Sequence, residues 1–204
     1  MNDLHKALGD INSIRRQVAR TTEFRGYGPT TLAATGVFVL ATAGIQARWI
    51  PNPAAGIGRY IALWIVTAFV SAVVAGIQMC TRSRRLHSGL SDEMIRMGVE
   101  QFLPTVGTGL LLAIVFWRSV PGSAWMLPGL WQVIFGLGIF ASCRFLPRRM
   151  FAAGIWYVFA GLVCISLGDS RALSPWAMGL SFGLGQLLVA GILFQAAKAV
   201  PDES

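Results

Sequence analysis

Six long apolar runs separated by short polar stretches constrain this chain more than any other feature. They fall at Thr31–Ala47, Tyr60–Met79, Phe102–Trp117, Trp125–Cys143, Met150–Leu167 and Trp176–Ala196. A bilayer core about 30 Å thick is crossed by about 20 helical residues, within a range of about 17–25. Most of the runs meet that length. The third is the shortest, and reaches it only by taking in Val99, Glu100 and Gln101 or by tilting. The runs are continuous and rich in Gly and Ala, without the alternation of a membrane strand. Backbone groups in hydrocarbon must be satisfied within the structure, so helices remain. Composition agrees: of 204 residues 54% are hydrophobic and 13% charged, against about a quarter charged in soluble domains.

The expected fold class is therefore all-α, a polytopic membrane helix bundle of six transmembrane helices preceded by an amphipathic cytoplasmic helix. Residues 1–29 are expected to form a cytoplasmic amphipathic segment. Residues 30–198 form the membrane domain, as hairpins 30–80, 99–143 and 150–198, and 199–204 a cytoplasmic tail. The first run does not read as a cleaved signal, because a long polar stretch precedes it.

Lysine and arginine sort by loop. Lys6, Arg15, Arg16, Arg20 and Arg25 lead; Arg82, Arg84, Arg85 and Arg96 follow run two; Arg144, Arg148 and Arg149 follow run four; Lys198 ends the set. The other side has only Arg48, Arg59, Arg118 and Arg171. The positive-inside rule then predicts a multi-pass protein of a bacterial inner (plasma) membrane with both termini cytoplasmic. Trp49, Trp117, Trp125 and Trp176 fall at the outer ends, as an interfacial belt does. The net charge of +8 is spread beside spans, where anionic headgroups satisfy it. The expected partners are membrane lipids, anionic ones in particular, at Arg15, Arg16, Arg20, Arg82, Arg84, Arg85, Arg148 and Arg149. A cytoplasmic or membrane protein partner is the other candidate for these residues, and no nucleic acid is expected.

Leu4, Ala7, Leu8, Ile11, Ile14 and Val18 recur at helical spacing. This segment reads as an interfacial helix or a docking helix. Ser91, Asp92 and Glu93 suit a helix start, and Pro104 follows two residues after Phe102. The expectation there is a short surface helix that bends into span three. The outer links Ile50-Pro51-Asn52-Pro53 and Ser119-Val120-Pro121-Gly122 leave room only for tight turns.

Two echoes run through the sequence. Pro128 precedes Phe135-Gly136-Leu137-Gly138 by the same interval as Pro175 precedes Phe182-Gly183-Leu184-Gly185, an offset of 47 that Gly107 and Gly154 share. Spans 3–4 and 5–6 thus read as parallel copies of one hairpin. A weaker echo links Ala43-Gly44-Ile45-Gln46 with Ala75-Gly76-Ile77-Gln78.

Reactive sets are sparse. His5 and His87 are the only histidines, and no carboxylate falls at mid-span. No cofactor and no metal centre are expected. Cys80, Cys143 and Cys164 are expected as filler without a disulfide. Gln132 and Gln186 are the deepest amides, and each needs a partner in hydrocarbon. With Gly136, Gly138, Gly183 and Gly185 they are candidates for helix–helix or solute contacts. Glu100, Gln101 and Arg96 are candidates for a cytoplasmic gate or interface. These features favour a non-catalytic integral inner-membrane protein, an accessory or regulatory subunit or a membrane anchor acting by protein association. The alternative is a small-solute transporter or channel for a neutral or lipophilic solute.

Overall fold

The computed structural model describes residues 28–86, 89–143 and 149–198; the side chains of 82–99, 101 and 196–198 lie outside the description. The order is α1 (Pro29–Trp49), α2 (Ile57–Leu86), α3 (Gly89–Arg118), α4 (Leu127–Ser142), α5 (Met150–Ser166) and α6 (Pro175–Lys198). Short 3-10 turns, Pro121–Met126 and Ser170–Leu173, lead into α4 and α6. No strand occurs among the described residues.

Local chemistry sets the ends. Pro29, Pro128 and Pro175 occupy first turns, where the missing N–H costs nothing. Gly168, at φ +72°, takes the left-handed position just past α5. Asp169 then accepts the Arg171 backbone N–H at 2.8 Å and starts the second 3-10 turn.

Among the described residues four helical segments are long and apolar enough to cross a membrane: Pro29–Trp49, Ile57–Thr81, Pro121–Ser142 and Pro175–Gln195. Phe102–Arg118 and Met150–Ser166 are apolar but shorter. The outside is apolar too, with Phe69 68% and Leu111 64% exposed. Around Pro104 the structure joins the expected surface helix to span three without a break. Gly89–Arg118 is one helix with the proline inside it. A proline removes one intrahelical bond, and long apolar helices tolerate that loss.

Two pairs pack most closely, α4 with α5 and α1 with α6. Glycine makes this approach feasible. A Cβ on Gly129 or Gly161 would stand 2.6 Å from the carbonyl oxygen of the other, and one on Gly136 would stand 2.9 Å from the Gly154 oxygen. These contacts recur every seven residues, so one stripe of each helix faces the other. Between α1 and α6, a Cβ on Gly36 would stand 3.1 Å from the Gly183 oxygen, and one on Gly179 would strike the Ala43 methyl.

The interior divides into two cores. One lies towards the turns joining α1–α2, α3–α4 and α5–α6, and includes Tyr60, Trp64, Leu127, Leu173 and Met178. The other lies towards the opposite end, with Met150, Ala153, Tyr157, Val189 and Leu193. Phe182 packs against both. Phe135 stacks edge-on with Phe102, Tyr157 and Phe182, at centroid distances of 5.3, 4.7 and 5.4 Å. Each such pair is worth about 0.5–1.5 kcal/mol beyond its buried area.

Candidate functional site

Among the described residues the buried polar side chains, besides two tyrosines, are Thr35, Thr42, Gln46, Thr67, Gln132 and Ser142, none of them charged. The hydroxyls mostly turn back onto their own helices. Thr35 donates to Leu32 O (2.9 Å), Thr42 to Phe38 O (3.0 Å) and Ser142 to Gly138 O (3.0 Å). Thr67 donates to Leu63 O at 2.8 Å and lies 3.4 Å from the Thr42 hydroxyl. The amides and indoles reach across helices instead.

Gln46, in the last turn of α1, is fully buried. Its Nε2 donates to Leu173 O at 2.8 Å, and its Oε1 accepts Trp64 Nε1–H at 2.8 Å. One amide thus ties α1 to α2 and to the turn before α6. Two further indoles act alike: Trp131 donates to Gly109 O (2.9 Å) and Trp156 to Ser181 O (2.9 Å). Each joins neighbouring helices through a backbone oxygen. At the other end of the α1–α2 pair, Gln78 Oε1 accepts the Gly28 N–H at 3.2 Å.

Gln132, on α4, is equally buried but only half satisfied. Its Nε2 donates to Ala177 O at 3.0 Å and lies 3.9 Å from Met178 Sδ. Its Oε1 has no partner, and neither do the buried hydroxyls of Tyr60 and Tyr157. Tyr60 belongs to the same core as Met178. Cys164 is also buried, its thiol 3.6 Å from Ala172 O. Above this core the three turns frame an open crevice of about 260 Å³, lined by Ile57, Trp125, Ser170 and Leu173 among others. At the rim Arg171 Nε donates to both carboxylate oxygens of Asp169, at 3.0 and 2.9 Å. The guanidinium and the Arg171 backbone N–H hold the Asp169 carboxyl below its ordinary range.

The other sequence candidates scatter. Gly136 meets α5 at Val158 and Gly154, and Gly138 meets α3 at Thr105 and Phe102. Gly183 meets Leu40 of α1, and Gly185 meets the Tyr157 ring of α5. Gln186 is half-buried, its Cβ against the Gly36 position on α1; it is not in the core that holds Gln132. Glu100 is exposed, and the side chains of Gln101 and Arg96 lie outside the description. Arg149 is exposed and donates to Gln195 Oε1 at 2.9 Å, linking α5 to α6. Arg82, Arg84 and Arg85 fall in α2, side chains undescribed; Arg15, Arg16, Arg20 and Arg148, with the proposed N-terminal helix, lie outside the described residues.

Sequence reasoning passed over Gln46, Trp64, Tyr60, Gly129 and Gly161. The echo ending in Gln46 and Gln78 was a signal for the amides. The seven-residue spacing of Gly129 with Gly136, and of Gly154 with Gly161, was a signal for the closest helix pair. Among the described residues no three His, Cys, Asp or Glu side chains gather as metal ligands do. The arrangement offers neutral hydrogen-bond donors and acceptors, suited to holding helices or a neutral molecule. Comparisons with protein-family models, curated proteins and solved structures found no match.

Proposed function

We propose that this chain is a multi-pass inner-membrane protein of bacterial type that works by association, as an accessory or regulatory subunit or as a membrane anchor. The carrying observation is the contrast within the bundle. In the apolar stretch of α2, 22% of residues are buried, against 39–44% for the other three long segments. From Ala68 to Gln78 exposed and half-exposed positions follow each other without a buried one. α2 and α3 are each 30 residues long, about 45 Å at 1.5 Å per residue. That exceeds a hydrocarbon core of about 30 Å, so the pair extends beyond it. A long hairpin at the edge of a closely packed bundle is suited to meeting a second protein.

Six crossings fit this reading. α5 follows α4 through two glycine contacts seven residues apart, so it shares the depth of a helix long enough to span. The basic loops support cytoplasmic termini, and their arginines, Arg149 exposed among them, suit anionic lipid. Isolation in a mild detergent tests the proposal: a stoichiometric partner that remains bound to the full chain is the expected result. Recovery of the protein alone, with solute-dependent flux after reconstitution into liposomes, would overturn it.

The second reading, a carrier or channel for a neutral or lipophilic solute, draws support from the unpartnered Gln132 oxygen and tyrosine hydroxyls. Gln132→Met separates the two. A carrier loses flux while staying folded, whereas a packing role lowers detergent stability with no flux to lose.

A further inference from the structure

The two interior glutamines of the turn-side half form a natural control and test. Gln46 has both ends of its amide bonded. The fold therefore accommodates a fully paired amide at this end of the bundle. Gln132, no less buried, leaves its oxygen without a partner, and Tyr60 in the neighbouring core leaves a hydroxyl. One group is an acceptor and the other can donate. A buried polar atom without a partner is costly, and in folded proteins a bound water or ligand commonly satisfies such a group.

A crevice opens beside this core, although neither Tyr60 nor Gln132 lines it. The crevice of about 260 Å³ between the three turns has Ile57 and Leu173 in its lining. Ile57 is one helical turn from Tyr60, and Leu173 is in the core that contains Tyr60 and Met178. Met178 lies against the Gln132 amide. Among the described residues none of the buried ones is charged, and the Asp169–Arg171 pair at the rim is exposed and mutually satisfied. The described core thus offers an ion no counter-charge.

We propose that the turn-side core binds a small uncharged molecule carrying both a hydrogen-bond donor and an acceptor, admitted from the crevice and held by the Tyr60 hydroxyl and the Gln132 carboxamide oxygen. Water and a small neutral amide or alcohol share this chemistry. The proposal concerns binding, not flux, and stands apart from the association reading.

The probe is acetamide, with acetate as its charged isostere, added to the full chain in detergent while the thermal midpoint is followed. A saturable rise with acetamide but not acetate, with the half-saturating concentration raised about tenfold or more in Tyr60→Phe and in Gln132→Met, supports a solute. Gln186→Leu, outside this core, should keep the response. If acetamide has no effect, the unfolding constants of the two single variants and the double variant decide. Non-additivity of about fivefold or more supports the site with water as its occupant. Equal responses to acetamide and acetate overturn the proposal. So does the absence of any response together with additive variants.

Discussion

The α4–α5 pair and the C-terminal half of α2 contain the same kinds of residue and use them in opposite ways. Along α4–α5, glycines face carbonyl oxygens so closely that a single methyl has no room. Along α2, Gly76 faces nothing: a Cβ there would meet no atom within 4 Å, and its neighbour Ile77 is 60% exposed. In hydrocarbon, helices gain little by hiding apolar surface, since lipid tails are equally apolar. Association then depends on close backbone approach and on cross-helix hydrogen bonds. α4–α5 has the approach, and Trp131 and Trp156 stitch the pair to α3 and α6. α2 has its stitches, Gln46–Trp64 and Thr42–Thr67, in its N-terminal half, with Gln78 to Gly28 near the other end. The lesson is that glycine content does not identify an interface, whereas a glycine facing a glycine does.

Alanine at two glycines should separate the regions most sharply. Gly161→Ala places a methyl against the Gly129 oxygen and should destabilise the bundle by about 2–3 kcal/mol. Reversible unfolding in mixed micelles measures this, and a neutral result would dissolve the contrast. Gln46→Leu comes next. It strands the Trp64 N–H and the Leu173 oxygen, for an expected loss of about 1–2 kcal/mol and altered tryptophan fluorescence. Gly76→Ala should go the other way. With open space and a helical backbone, it should stabilise by about 0.5–1 kcal/mol. A loss in the isolated chain would show that α2 is covered after all.

The smallest effect belongs to Asp169, at the rim of the turn-side core. Its folded-state pKa is depressed by the Arg171 side-chain and backbone hydrogen bonds. The contribution is therefore present above the unfolded carboxyl pKa and is lost as pH falls through the lower, folded one. Wild type and Asp169→Asn should accordingly converge in thermal midpoint on acidification. Exposure to solvent keeps the difference slight.

Much of the helix layout is legible in the residue order. Four of the predicted apolar runs lie within one helix; the fourth begins in the 3-10 turn before α4 and passes its end by one residue, and the fifth passes the end of α5 by one residue. Pro128 and Pro175 mark first turns, as their chemistry requires. The two FGLG segments bring Phe135 and Phe182 together at 5.4 Å. The candidate site was less legible. Gln132 stood out because an amide in an apolar run is conspicuous. Tyr60 did not, because a tyrosine near a span end reads as an interfacial anchor. Gly136 and Gly183 stood out as small residues, but their sequence position does not say that one faces α5 and the other α1.

The order of residues determined that this chain is helical, apolar outside, and divided at its prolines and polar turns, because those properties follow from local backbone chemistry and from run length. Only the tertiary structure decided which helices lie side by side. It paired α1 with α6 and α4 with α5, left α2 at the edge, and completed Gln46 while leaving Gln132 half bonded. The reason is physical: in an apolar surround every face is equally comfortable, so partners are selected by where two backbones can approach and where a donor meets an acceptor. Those are relations between distant residues that no single run contains.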